Sequence, residues 1–132
     1  MERQNINIFE ELYKKKEYTW SDAVKKGRIV AISGLVATDE NHRTLYPGNL
    51  KAQMRVIYEQ LKKILEMAGG SLDDVIKTTD YITPQALPDY AQTAEIRREY
   101  FKGNYPAATG IVVNRLLRED WLIEIEALAV LD

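Results

Sequence analysis

The 132-residue chain contains no cysteine and a single histidine. Lack of cysteine excludes a disulfide framework, a thiolate nucleophile and any cysteine-ligated metal. With His42 as the lone imidazole, a metal site of several histidines is impossible, and a Ser-His-Asp triad would depend wholly on that residue. His42 sits in the polar run Asp39-Glu40-Asn41-His42-Arg43-Thr44, read as an exposed loop far in sequence from the other candidates, so neither arrangement is expected. The glycines at 27, 34, 48, 69 and 70 make neither a phosphate-cradling loop with lysine nor a dinucleotide fingerprint. There is no excess of positive charge: 18 basic residues are interspersed with 20 acidic ones, for a formal net charge of −2. That balance offers no basic field for nucleic acid and no polybasic stripe for a membrane. Lys14-Lys15-Lys16 reads as solvated surface. No apolar run approaches the roughly 18 residues of a spanning helix, and Met1-Glu2-Arg3-Gln4-Asn5 lacks the apolar core of a signal peptide. A soluble, cytoplasmic protein is the expectation.

What is present is an ordinary globular composition, 45% hydrophobic, at a length that suits a single domain over residues 1–132. No repeat or low-complexity linker divides it. Residues 18–24 suit a first strand, and Lys26-Gly27 turns the chain into Arg28-Ile29-Val30-Ala31-Ile32-Ser33-Gly34, a hairpin signal. Between Asn49 and Ala68, Leu50, Met54, Ile57, Leu61, Ile64 or Leu65, and Ala68 recur at steps of three and four, one face of a helix that Gly69-Gly70 ends. Val75 to Thr83 supplies another strand, and Leu87-Pro88-Asp89 opens a second helix running to about Phe101. Two strands finish the chain. The order ββ-α-β-α-ββ predicts an α+β fold with both helices on one face of a mixed sheet, leaving the other face to be covered by something else.

The last third of the chain carries the most chemistry. Pro106-Ala107-Ala108-Thr109-Gly110-Ile111-Val112-Val113 leads through a charged turn into Trp121-Leu122-Ile123-Glu124-Ile125-Glu126-Ala127-Leu128-Ala129-Val130. In a period-two strand Glu124 and Glu126 share a face with Leu128 and Val130, roughly 7 Å apart, which places at least one charge in partly apolar surroundings.

This Pro-Ala strand followed by Ile-Glu-Ile-Glu-Ala resembles the Rid family, also called the YjgF/UK114 family. Ile32-Ser33-Gly34, the run Ala68 to Thr79 after the first helix, and Leu87-Pro88-Asp89-Tyr90 extend the likeness in order over residues 18–131, with 1–17 as an N-terminal extension. The resemblance implies a chorismate-mutase-like homotrimer with clefts between subunits, a small-molecule substrate and no cofactor. The best-known members are 2-iminobutanoate/2-iminopropanoate deaminases, which carry an arginine directly after Pro-Ala to hold the substrate carboxylate. This chain has Ala108 there, and no alanine imitates the planar two-pronged grip of a guanidinium.

By the same resemblance Glu124 is the catalytic candidate, orienting a water or moving a proton; desolvation would raise its pKa into a useful range. The other reading pairs it with Arg115, Arg118 or a neighbouring subunit's lysine. Ser33 and Gly34 are placed at the corner that offers backbone groups to the ligand, although Gly34 could simply release the strand into its loop. Thr109 and Gly110 could contact a ligand beside Ala108. Tyr90, Ala94, Arg97 and Phe101 step by four, three and four, which puts the Arg97 guanidinium on an apolar stripe. It either pairs with a carboxylate across a subunit boundary or replaces the missing arginine as an anion clamp. Trp20, where the deaminases usually have a tyrosine, with Tyr18 and Tyr105 close by, could stack on a planar substrate; core or interface packing is the alternative. Three functions stand open: an arginine-lacking deaminase or lyase of the hydroxylaminobenzoate type that releases ammonia, a non-catalytic metabolite-binding or regulatory trimer, and an RNA-cleaving translation inhibitor, against which the acidic balance argues.

Overall fold

The computed structural model describes all 132 residues. In chain order it contains β1 (Arg3–Ile6), α1 (Glu10–Lys15), β2 (Ala23–Lys26), β3 (Ile29–Leu35), α2 (Leu50–Ala68), β4 (Val75–Ile82), α3 (Ala94–Phe101), β5 (Ala107–Val112) and β6 (Ile123–Val130). Short 3₁₀ turns occupy Leu72–Asp74 and Leu87–Thr93. One six-stranded sheet runs β1-β2-β3-β6-β4-β5. Only β4 and β5 are parallel, joined by a crossover through α3, so the sheet is mixed and the fold is α+β.

Residues 1–17, read from the sequence as an extension, supply an edge strand and a helix. β1 pairs antiparallel with β2, from Arg3 opposite Lys26 to Ile6 opposite Ala23. The polar run Gln4-Asn5 hides it from an apolar pattern, because only Ile6 of β1 is buried. The first expected strand is likewise shifted, to Ala23–Lys26, and the second expected helix is 3₁₀ in its first half. The structure therefore has three helices where two were expected.

α2 begins and ends as its sequence dictates. The Asn49 side chain accepts from the Ala52 N–H at 3.0 Å, and Gly69 adopts the left-handed conformation, φ +90°, that closes the helix. Its apolar stripe of Met54, Ile57, Leu61, Ile64 and Leu65 is fully buried against Val30, Ile32, Ile123, Ile125 and Ala129 of the central strands. Each such aliphatic side chain contributes roughly 1.5–3 kcal/mol. Buried Gln53 ties the helix to the lead-in of β6: its Nε2 donates to the Asp120 carbonyl at 2.9 Å and its Oε1 accepts from the Leu122 N–H at 2.9 Å. That bond fixes where β6 starts and hence where Glu124 stands.

The opposite sheet face has no helix over it. The register sets Glu124, Glu126, Leu128 and Val130 of β6 beside Tyr81, Thr79 and Lys77 of β4 and beside Ala31 and Ile29 of β3. Ile29, Leu128 and, from β5, Ile111 are exposed there.

Candidate active site

Glu124 lies one residue inside the start of β6, on the uncovered face, opposite a bulge in β3. The β3–β6 register slips between Ile32 and Leu35, so Ser33 and Gly34 stand where the ladder is interrupted. A Cβ built on Gly34 would come 2.5 Å from Glu124 Oε2 and 2.7 Å from its Cδ. Only glycine lets the carboxylate rest on the backbone at that distance. Glu124 makes no ion pair within the chain: Arg115 is engaged with Glu119 at 3.2 Å, and Arg118 donates to the His42 carbonyl at 2.5 Å. The two arginines expected as alternative partners are thus engaged elsewhere. Burial first, and the neighbouring Glu126 second, push the Glu124 carboxyl above the ordinary carboxylate range. Glu126 differs, since it accepts a hydrogen bond from the Tyr81 hydroxyl. The two carboxylates on this strand face thus differ in their hydrogen bonding, Glu126 being met by a hydroxyl and Glu124 by none.

Glu124 opens on a cavity of about 310 Å³ lined by Trp20, Ser33, Gly34, His42 and Trp121, with Ile8, Phe9, Leu12 and Tyr13 of the N-terminal segment as one wall. Tyr18 stacks on Trp20 with ring centroids 4.4 Å apart, and Tyr13 meets both edge-on. His42, far from these residues in sequence, joins this group in space. Residues 38–45 fold back through the Leu45 N–H to Ala37 carbonyl bond at 2.8 Å, and the His42 Nδ1 lies 3.1 Å from the Tyr18 hydroxyl. Burial, and next the Arg118 charge, lower its pKa, so the imidazole is held neutral. The Ser33 hydroxyl donates to the Ser21 carbonyl at 2.6 Å and its N–H to the Asp22 carbonyl at 2.8 Å. Ser33 accordingly anchors the corner through its donors.

Asp22 is the component that no sequence signal announced. Buried beside the cavity, it accepts from the Ile8 N–H at 2.9 Å and from the Tyr13 hydroxyl, while its own N–H donates to Asn7 Oδ1 at 2.8 Å. These bonds clamp residues 7–13 across the cavity. Burial and the Asp22 contact drive the Tyr13 hydroxyl pKa up, so it remains a donor. Nowhere do three His, Asp or Glu side chains converge as a metal would require.

The ordered motifs and this geometry agree with three comparisons. The family model described as endoribonuclease L-PSP matches residues 13–131. A RutC family protein of Pyrococcus horikoshii is 40% identical over 122 residues, covering 92% of this chain and 94% of that protein. The crystal structure of a YjgF/YER057c/UK114 family member from Mycobacterium tuberculosis superposes with a TM-score of 0.80 at 25% identity, covering 98% and 100% of the two chains. This chain belongs to the endoribonuclease L-PSP, or Rid, family. Within the family, the 3-aminoacrylate deaminase RutC of Acinetobacter baylyi is 38% identical over 107 residues, 81% of this chain and 82% of that one.

The remaining candidates of this Rid protein gather elsewhere. Arg97, Arg98, Tyr105 and Ala108 line a second depression of about 280 Å³ between α3 and β5. Tyr105 is therefore apart from Tyr18 and Trp20, because the sheet order puts β5 at the edge beyond β4. Arg97 pairs with Asp80 of its own chain at 3.4 Å, and its guanidinium lies 5.4 Å from the Tyr90 ring centre. Asp80 is buried, and desolvation raises its pKa despite the Tyr90 hydroxyl bond at 2.6 Å and the arginine. Thr109 points to the uncovered face, where its hydroxyl accepts from Lys77 at 2.5 Å. A Cβ at Gly110 would lie 3.2 Å from the Tyr90 hydroxyl, so glycine there lets that ring approach. Ala108 is level with Thr78 and Ala127, three residues along from Glu124, so the two sites stand about 10 Å apart along the strands and about 10 Å across them. They also lie on opposite faces of the sheet.

Proposed function

We propose that this protein is a cofactor-free deaminase that hydrolyses an imine, enamine or hydroxylamino nitrogen of a small molecule and releases ammonia. The observation that carries this reading is Glu124: an unpaired, partly buried carboxyl seated on Gly34, its pKa raised, opening on an aromatic cavity. For an imine, the ionised carboxylate takes a proton from water as the water oxygen bonds to the C=N carbon, and passes that proton to nitrogen, giving a neutral carbinolamine. The carboxylate then takes the carbinolamine hydroxyl proton and delivers it to the amino nitrogen as the C–N bond breaks, so that a carbonyl compound and ammonia leave and the carboxylate is restored. A pKa raised toward neutrality suits a group that must both accept and donate. Trp20 and Tyr18 offer a stacking wall to a planar or aromatic substrate.

The uncovered face with Ile29, Leu128 and Ile111 supports assembly as a homotrimer through the sheets, with sites between subunits. The deciding experiment measures ammonia from 3-aminoacrylate and 2-iminopropanoate, both generated in situ, and from 4-hydroxylaminobenzoate, with Glu124→Gln beside the native protein. Release from at least one, lost in Glu124→Gln, is the expected result; no release from any removes the reading. Ala108 favours one second reading, a trimer that binds a metabolite without turnover, which predicts ligand affinity and no ammonia. RNA cleavage, named in the family description, finds no support in the formal net charge of −2.

A further inference from the structure

His42 is held through one ring nitrogen and leaves the other free. Arg118 donates through Nη1 to the His42 carbonyl at 2.5 Å and sets Nη2 3.4 Å from Nδ1 of the ring, while the Tyr18 hydroxyl lies 3.1 Å from the same nitrogen. A guanidinium can only donate. Nδ1 is therefore an acceptor, the Tyr18 hydroxyl donates to it as well, and the proton of the neutral imidazole sits on Nε2. The His42 backbone is kept at φ +60°, a left-handed conformation that residues with a side chain rarely adopt and that persists where surrounding contacts impose it. Arg118 supplies those contacts from a fixed seat, 5.1 Å from the Trp121 ring centre. Two buried side-chain polar atoms of the chain lack a partner, the Tyr58 hydroxyl and Asp80 Oδ1. Nε2 of half-buried His42 is not one of them and bonds no protein group, so it is open to solvent, on a ring that lines the Glu124 cavity. Four other side-chain donors of that wall are already spent: Tyr13 on Asp22, Ser33 on the Ser21 carbonyl, Gln60 on the Thr38 carbonyl at 3.2 Å and Trp121 on Thr44 Oγ1 at 3.0 Å.

From this we infer that His42 is a hydrogen-bond donor of the Glu124 cavity, its Nε2–H binding the acceptor atom of the ligand: the imine nitrogen of a substrate, then the carbonyl oxygen of its product. Tyr18 and Arg118 are positioning residues that keep the ring proton on Nε2. The inference rests on the deaminase reading only for naming those two ligand atoms. A fixed neutral N–H polarises C=N or C=O toward the heteroatom and adds no positive charge to the cavity. An imidazolium there would pull the Glu124 carboxyl back down, whereas burial and the Arg118 charge hold His42 neutral and leave Glu124 raised. The ligand that suits this donor carries an uncharged C=N or C=O group, with its planar body against Trp20.

The test uses untagged protein labelled with ¹⁵N in histidine, in which His42 gives the one imidazole signal of the chain. At pH 7 the native ring should be neutral with its proton on Nε2, and Tyr18→Phe and Arg118→Gln should each move part of the population to the Nδ1–H form. Titration with acetophenone should shift the Nε2 resonance. Its isostere 2-phenylpropene, which has CH2 in place of the carbonyl oxygen, should bind at least fivefold more weakly and leave Nε2 nearly unmoved. His42→Phe keeps a ring and removes the donor, so it should bind the two probes equally. A charged or Nδ1–H ring in the native protein, equal binding of the two probes by the native protein, or a preference for the ketone that survives in His42→Phe overturns the inference. An Nε2–H ring with a His42-dependent preference for the ketone, without ammonia release from any substrate, upholds the donor while removing the deaminase reading; ammonia release that His42→Phe leaves unchanged, with no preference for the ketone, does the reverse.

Discussion

The seat of Glu124 on Gly34 makes Gly34→Ala a sharp test of whether carboxylate placement drives activity. The added methyl would stand 2.5 Å from Oε2, 2.7 Å from Cδ and 2.9 Å from Cγ of Glu124. Ordinary contact needs about 3.5 Å, so the carboxylate must move by about 1 Å. What moves is the free end of a flexible side chain, and Gly34 has no left-handed φ that alanine would strain. The folding cost is therefore about 1 kcal/mol or less, offset by the 0.4–1 kcal/mol or so that alanine contributes through a stiffer unfolded chain. The melting temperature should stay within about 4 °C of native. A catalytic group displaced by that distance costs on the order of 100-fold, about 2.7 kcal/mol of barrier. Ammonia release under kcat/KM conditions, with melting curves on the same samples, reads both quantities. In a Glu124→Ala background, where the clashing atoms are gone, Gly34→Ala should change the residual rate less than about threefold. A folded Gly34→Ala protein with native kcat/KM would refute the assignment of Glu124, since its carboxylate would have moved without consequence.

The pKa of Glu124 makes a stability prediction with a definite sign. Its folded value is raised, so the folded state holds its proton over a range where the unfolded chain has lost it, and stability falls as pH rises through that window. Glu124→Gln should thus melt above the native protein at pH 7, with the difference vanishing below about pH 4; equal melting at both pH values would show that the carboxyl is not desolvated. Tyr13→Phe removes a donor to buried Asp22 and should cost about 1–3 kcal/mol, with faster proteolysis inside residues 7–13; unchanged melting and proteolysis would show that the clamp does not hold the segment. Light scattering should give three times the 15.2 kDa chain mass, and Leu128→Lys on the uncovered face should lower it; a native mass of one chain removes the trimer.

How much of this was legible without coordinates depended on how locally each feature is encoded. α2 was legible because its stripe and its Gly69 stop lie within one segment; the Asn49 cap that begins it is seen only in the structure. The hairpin of β2 and β3 was marked by Gly27, which turns at φ +62°. The pairing of Glu124 and Glu126 with Leu128 and Val130 on one face followed from the strand period alone. β1 was not legible, because an edge strand can be polar on both faces and is recognised only by its partner. Nor was the Asp22 clamp: an aspartate before Ala23-Val24 resembles any turn acid until Ile8 and Tyr13 fold onto it. The contacts of His42 were hidden for the same reason, since the 39–44 loop is polar in sequence and reaches the cavity only through contacts with Tyr18 and Arg118. Arg97 was recognised by helical spacing as a charge on an apolar stripe, but its partner, Asp80, came from a strand that spacing does not address.

The uncovered sheet face bears on how the proposed site works. Glu124 stands on the same face as exposed Ile29 and Leu128, so a second copy docked there, as proposed above, would bury those side chains beside it. On that reading Leu128→Lys, which leaves Glu124 and its cavity residues in place, should lose ammonia release in parallel with its loss of mass. Full activity in a dissociated Leu128→Lys protein would show that each chain holds a complete site.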